Sequence, residues 1–299
     1  MRLSELGEHG LLAELAARGL AERIGDDTAE LAGGVVVTQD VLVENVHFQR
    51  RWISWHDLGY KAAAVNLSDL AAAAAEPEAL FLTLGLEPDR DVEDVIELFE
   101  GVAETGVAVR GGDLTTADRV LISVAAVGRS DRVPGRGGAK PGDLLVVTGP
   151  LGGSAAGLAA LERGLAGPPE LVHAHRRPPF RLDAGRRLGP LAHAMIDLSD
   201  GIASDAARIA ERSRCRLEID VERLPLFPGL DVVGPEPFWT MGEDYELLAA
   251  LSPDDATASG FAVVGRCTDG AGAVLLRDGE PLPLTGWDHF GARTLPAGS

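Results

Sequence analysis

Cysteine is scarce: Cys215 and Cys267 are the only two in 299 residues. That excludes a disulfide-stapled scaffold, and the seven histidines are too scattered to join the cysteines in a zinc cluster. The two thiols are expected to be reduced and partly buried in a cytoplasmic protein. Positive charge is also in short supply, with 27 basic residues against 46 acidic ones and a net charge of −19. Such a surface is unsuited to a nucleic-acid backbone or an anionic membrane. Long apolar runs are missing too. No segment reaches the roughly 20 residues of a membrane span, and "MRLSELGEHGLLAEL" has no secretory apolar core. Finally there is no GxxxxGK[ST] loop, and "TGPLGGS" resembles a dinucleotide fingerprint only loosely, so both common nucleotide-binding folds are set aside.

What remains is a long globular chain. Hydrophobic residues make up 45% of it, and its length accommodates two domains of about 140 residues. Residues 3–18 have the pattern of a short amphipathic helix, and 56–75 read as an alanine-rich helix stopped by Glu76-Pro77. Residues 89–106 place Val92, Val95, Ile96, Phe99, Val102 and Ala103 on one helical face. Residues 33–48 read as a pair of β-rich runs, while "ALFLTLGL" and "RVLISVAAVG" read as strands. The segment 128–143 is dense in Gly, Pro and charge, and the domain boundary is placed there, dividing the chain into 1–138 and 139–299. Beyond it, strands "DLLVVTG", "CRLEIDV", "YELLAAL" and "FAVVGRC" mix with helices "GGSAAGLAALERG" and "IASDAARIAERS". The Asp-Gly of "AVLLRDGEPL" marks a hairpin. Strands and helices do not alternate regularly, so an α+β fold is expected over a doubly wound sheet.

Aspartates recur where secondary structure changes: Asp27 after "RIG", Asp40 in "TQD", Asp69 in "NLSD", Asp113 in "GGD", and Asp197 and Asp200 in "IDLSD". Asp69 stands in an apolar helix one turn after Asn66, where a carboxylate is costly unless it is paired, metal-bound or on a solvated face. Asp113 follows two glycines, as in a tight backbone turn, and Asp200 has the position of a helix N-cap as well as of a ligand. Clustered oxygens without Cys or His select Mg²⁺ over zinc, and several carboxylates suit ions that bridge the phosphates of a polyphosphate. Carboxylates repel a triphosphate, so cations must intervene. Arg136 and Lys140 in "GRGGAKPG", and Arg176, Arg177 and Arg181, are candidates, with solvated loop charge as the alternative for each. The amides of 148–154 suit a phosphate at a helix start, or the glycines simply allow a tight turn.

The ordered set "IGDDTA", "TQDVLVENVHF", "YKAAAVNLSDLAA", "GGDLT", "RGGAKPGD", "TGPLGGSAAGL", "IDLSDGIASD" and "GEDYELL" resembles the thiamine-monophosphate kinases over essentially the whole chain. These belong to a superfamily with aminoimidazole-ribonucleotide synthetase, selenophosphate synthetase and a hydrogenase-maturation protein. The resemblance implies two α/β domains. The N-terminal one binds ATP and Mg²⁺ and gives strands to a homodimer barrel, and the C-terminal one completes the active site. It implies ATP-dependent conversion of thiamine monophosphate to thiamine diphosphate by direct in-line transfer, with several Mg²⁺ ions. By motif position Asp27, Asp40, Asp69, Asp113, Asp197 and Asp200 are the metal-site acids, with oxygens from Thr38 and Gln39. Gly112, Asp113, Arg136 and Ser199 are the ATP contacts, and His47, Glu243 and Trp287 the substrate contacts. Without the resemblance His47 reads as a strand-end histidine, Glu243 as a turn acid and Trp287 as a packing aromatic. Asp26 is expected to orient the loop or a ligand water, or to be solvated. The chain departs from the family pattern at Arg23, Gln39 and Asn45, none of which removes a metal carboxylate.

No strong base stands out. The implied nucleophile, a phosphate oxygen, is already largely ionised at neutral pH, so catalysis is expected to rest on positioning and metal assistance. Two other readings compete: a sister enzyme of the superfamily, told apart by ADP release across substrates, and a non-catalytic acidic scaffold that binds no nucleotide.

Overall fold

The computed structural model describes residues 2–22, 24–165 and 167–282. In the first half, β-branched and alternating apolar runs form a five-stranded mixed sheet. Its strands are β1 (Ala29–Leu31), β2 (Val35–Val43), β3 (Glu76–Leu86), β4 (Val109–Thr116) and β5 (Leu121–Arg129), in the order β1-β2-β5-β3-β4. Only β3 and β4 run parallel among these pairs. Ile122, Val124 and Ala126 of β5 are fully or almost fully buried, while the residues between them are half-buried, so one face of the sheet is covered more completely than the other.

The second half restarts at β6 (Leu144–Val147) and adds β7 (Ala194–Asp197), β8 (Arg216–Asp220), β9 (Leu247–Leu251), β10 (Ala262–Thr268), β11 (Gly272–Arg277) and β12 (Glu280–Leu282). They form a second mixed sheet, β12-β11-β8-β10-β6-β9-β7, in which β8 and β11 are the parallel pair. Its helices are α4 (Gly153–Arg163), α5 (Pro169–Arg176), α6 (Leu182–Leu188), α7 (Ile202–Ser213), α8 (Leu230–Val233) and α9 (Pro253–Ser259), while α1 (Leu3–Ala17), α2 (Trp55–Ala72) and α3 (Val92–Ala103) belong to the first half. The chain is thus two α/β domains, each built on a mixed sheet. No helix among the described residues is long and apolar enough to cross a membrane.

Helix α2 joins the two. Small side chains let it lie close to the first sheet on one side and meet α6 and β7 of the second domain on the other. Fourteen of its 18 residues are buried, so it has almost no solvated face. Lys61, Asn66 and Ser68 on α2 are therefore placed in protein, not water.

Two expectations are corrected here. Residues 33–48 are not a pair of runs but centre on one nine-residue strand, β2, with Gln39 and Asp40 in its middle. The Gly111-Gly112-Asp113 stretch is not a turn; it lies inside β4, an exposed edge strand that lacks apolar alternation and was not foreseen.

Candidate metal and substrate site

Three of the expected acids converge between the domains. Asp27 comes from the loop before β1, Asp69 from α2 and Asp197 from the end of β7, and a carboxylate oxygen of each lies within 4.8 Å of the others. Asp69 is not on a solvated face and does not pair with Asn66. Its Oδ2 accepts from the Thr38 hydroxyl at 2.6 Å, and the same hydroxyl lies 3.1 Å from the Asp27 carbonyl. Asn66 instead bonds the Ala62 carbonyl and accepts from the Asp40 amide, both at 3.0 Å. Ser68, one residue before Asp69, donates to Asp197 Oδ2 at 2.7 Å and so ties α2 to β7.

The cluster is electrostatically frustrated. Burial raises the Asp27 carboxyl, against the pull of Arg136. Burial, then the neighbouring Asp40, Asp197 and Asp27, pushes Asp69 well above the usual range. Asp197 is pushed up to about 8 by burial and by Asp27. Each acid opposes ionisation of the next, as like charges in a desolvated site must. A bound cation would reverse that balance.

Basic groups meet the cluster from one side. Arg136 is not solvated loop charge: its Nη2 donates to Asp27 Oδ1 at 2.5 Å, its Nη1 to the Gly25 carbonyl at 3.2 Å, and its amide to Asp26 Oδ1 at 2.9 Å. Asp26 also lies 3.4 Å from Arg212, so it orients this loop. Asp200 is not an N-cap. Its carboxylate pairs with Arg208, its amide donates to Asp205 Oδ2 at 3.1 Å, and α7 begins after Gly201 without a side-chain cap. Ser199 sits in the same turn.

Other expected residues are placed differently. Gln39 points away from Thr38, as the two-residue strand period demands, and its Nε2 donates to Ser123 at 3.0 Å. Any contribution from Gln39 falls to its backbone. Asp113 is exposed on β4, outside the three-acid group. Beside it Gly112 has φ of +148°, and a Cβ there would stand 1.7 Å from the Leu82 carbonyl oxygen of β3, so only glycine lets the strands approach. Trp287 lies outside the described residues.

Glu243, the acid expected on the substrate side, is held firmly. Glu243 forms an ion pair with Lys61 at 3.0 Å, and its other oxygen is 3.4 Å from His175 Nδ1 and from the Ser154 hydroxyl. Burial alone would raise its carboxyl; the Lys61 ammonium, with His175, overrides that and holds it well below the usual range. Its backbone is in the left-handed region, φ +59°, as is Tyr245 at +51°. The Glu243 amide donates to the Ser199 carbonyl at 2.8 Å and the Tyr245 amide to Leu198 at 2.9 Å. Gly242 permits this contact, since a Cβ there would be 2.4 Å from the Ser199 oxygen. His47 accepts the Val43 amide at 3.0 Å in the turn after β2. A cleft of about 310 Å³ opens beside Glu243, lined among others by Tyr60, Ser154, Arg177, Arg181 and Phe227.

Sequence reasoning missed Lys61, His175, Asp205 and Arg208. Of the two readings of 148–154, the tight turn fits the α4 start, where the Gly152 amide faces Asp244, 2.8 and 2.9 Å from its two oxygens. The basic 173–181 segment is largely neutralised: Arg177 pairs with Asp57 and Glu104, and Arg181 with Glu246.

Residues 25–130 match the N-terminal domain, and residues 140–275 the C-terminal domain, of AIR synthase related proteins. The chain is 36% identical to the thiamine-monophosphate kinase of Aquifex aeolicus, across 97% of this chain and 100% of that one. It is 37% identical to the Escherichia coli thiamine-monophosphate kinase, across 95% and 98%. Its structure superposes on AaThiL complexed with AMPPCP and TMP with a TM-score of 0.89, at 35% identity, covering 97% of this chain and 99% of that one. With both domains matched and relatives of this identity aligned end to end, the chain belongs to the thiamine-monophosphate kinase family.

Proposed function

We infer that this chain transfers the terminal phosphoryl group of ATP to thiamine monophosphate, giving ADP and thiamine diphosphate, and that it does so with Mg²⁺. The observation that carries the metal is the buried Asp27–Asp69–Asp197 group, whose carboxyls all resist ionisation in a site of oxygen donors. Hard oxygen ligands of this kind suit Mg²⁺. Asp27, Asp69 and Asp197 would hold it, with Asp40, Asp113, Asp200, Thr38 and the Gln39 backbone as further oxygens. When bound, Mg²⁺ would supply positive charge that screens the phosphates. A similar chain binding AMPPCP and TMP supports ATP as co-substrate and thiamine monophosphate as acceptor.

The chain's own residues position the reactants. An oxygen of the substrate phosphate, with a second pKa of about 6, is ionised at neutral pH and needs no protein base. It attacks the γ-phosphorus in line, the bond to the β–γ bridging oxygen breaks, and the electron pair leaves with ADP. Arg136, Ser199 and Gly112 are assigned to ATP. Arg136 and Arg208 pair with Asp27 and Asp200, which sets two guanidiniums beside acids assigned to the metal. His47, Glu243 and Trp287 are assigned to the substrate.

We also propose that residues 1–138 form the ATP, Mg²⁺ and dimerisation unit and 139–299 the unit that completes the site. The less covered face of the first sheet carries Val41 and Phe81 exposed, with Val37 and Val127 in register beside them, an apolar face suited to a second copy in a barrel. The test of the reaction is an Mg²⁺-dependent assay with mass detection of thiamine diphosphate. Asp40→Asn and Asp200→Asn are each expected to lower turnover by about tenfold or more with the fold retained. Normal turnover in both would overturn the metal-site roles.

A further inference from the structure

Lys61 is one of the largest fully buried side chains among the described residues, 1% exposed, and the three residues that follow it on α2 are alanines. A buried ammonium must be paired and hydrogen-bonded. Its Nζ lies 3.0 Å from Glu243 Oε1 and 3.1 Å from the His175 carbonyl. Burial and the Lys61 charge lower the His175 pKa, so the imidazole beside Glu243 is neutral and Lys61 is the cation that balances it. The three groups come from α2, α5 and the loop before β9, so the contact joins both domains at one carboxylate.

The carboxylate is not consumed by these contacts. Two oxygens offer about four acceptor positions. Lys61 occupies one, and His175 and Ser154 share the other oxygen at 3.4 Å, a length that leaves them weak partners. Glu243 remains 30% exposed on the cleft side. Its left-handed backbone would be costly without such anchoring.

We propose that Lys61 is a positioning residue for substrate binding: its buried ammonium fixes the Glu243 carboxylate at the cleft and so sets the affinity for thiamine monophosphate. This rests on the reading of Glu243 as a substrate contact. Lys61 touches neither reactant in this scheme. It acts through Glu243, with Ser154 trimming the direction of the second oxygen.

The test compares steady-state constants of the full chain with those of Lys61→Met, Glu243→Gln and the double variant. Lys61→Met is expected to raise KM for thiamine monophosphate by about tenfold, leaving kcat and KM for ATP within about twofold. The double variant, which removes both charges, is expected to match Glu243→Gln alone. Ser154→Ala disturbs the same carboxylate without stranding a buried charge, and is expected to raise the same KM by about threefold even where Lys61→Met folds poorly. A multiplicative double variant, equal losses in both KM values and kcat, or an unchanged KM in Ser154→Ala would overturn the proposal. If Glu243→Gln alone leaves KM for thiamine monophosphate unchanged, the substrate role of Glu243 fails. If the native chain forms no thiamine diphosphate, the kinase reading fails.

Discussion

Replacing Asp244 by Asn is expected to stabilise the protein, and more so as pH rises. Asp244 is 7% exposed, and both of its oxygens face the Gly152 amide. Burial, then the neighbouring Glu246 and Glu243, outweighs the Gly152 and Ser154 amides and pushes its carboxyl from 3.8 up to about 8. Between those values the folded chain holds a proton that the unfolded chain has released, so stability falls as pH climbs through the window and levels off above it. The slope is about 1.4 kcal/mol per pH unit, which by pH 7 amounts to about 4 kcal/mol. Asparagine is close in shape, carries no proton and keeps one acceptor for the Gly152 amide, at a cost of about 1 kcal/mol for the weaker bond. The net gain at pH 7 is therefore on the order of 3 kcal/mol. Urea unfolding of both proteins at pH 5.5, 6.5 and 7.5 measures it. The gap should widen by about 1.4 kcal/mol at each step. A gap that stays constant with pH, or a variant less stable than the native chain at pH 7.5, would refute this account of the buried acid.

Arg136→Met should cost the metal-free protein about 3 kcal/mol, because it strands buried Asp27, and added Mg²⁺ should recover part of the loss in a thermal melt. A deficit that Mg²⁺ does not change would argue against Asp27 as a ligand. Gly112→Ala should leave little soluble folded protein, since its Cβ would sit 1.7 Å from the Leu82 oxygen at a φ that disfavours alanine; normal expression and melting would contradict the close approach of β3 and β4. Removing Mg²⁺ with EDTA should abolish turnover and lower the melting temperature, with a shift that saturates on titrating the metal back. A melting temperature indifferent to Mg²⁺ would count against a structural ion at the acid cluster.

Motif order made much of the site legible. Asp27, Asp69 and Asp197 are far apart in the chain, yet their short motifs group them, and their carboxylates do come together. Lys61 was not legible, because a lysine among alanines reads as a solvated helix face until α5 and the loop before β9 are known to cover it. The direction of Gln39 follows from the strand period once 35–43 is recognised as a single strand, and splitting that segment into two runs hid it. Strand β4 escaped because its few apolar residues, Val109 and Leu114, fall on opposite faces among glycines and polar residues, and an edge exposed to solvent imposes no alternation. The Asp244–Gly152 contact joins residues 92 apart, and nothing local announces it.

Asp197 and the Glu243 loop leave the second sheet on neighbouring strands. Asp197 pairs with Leu247 at the end of β7 and β9, and two amides of the loop bond back to Leu198 and Ser199. The spacing between Asp197 and the Glu243 loop is therefore written into a hydrogen-bonded ladder inside one domain. Asp27 and Asp69 reach in from the other domain, through a loop and a helix. Tilting the two sheets against each other would alter the acid cluster and the Lys61 and Ser68 contacts while leaving the backbone span from Asp197 to Glu243 untouched. The C-terminal domain carries Asp197 and the Glu243 loop on one hydrogen-bonded frame, and the N-terminal domain brings Asp27 and Asp69 to the Asp197 end of it.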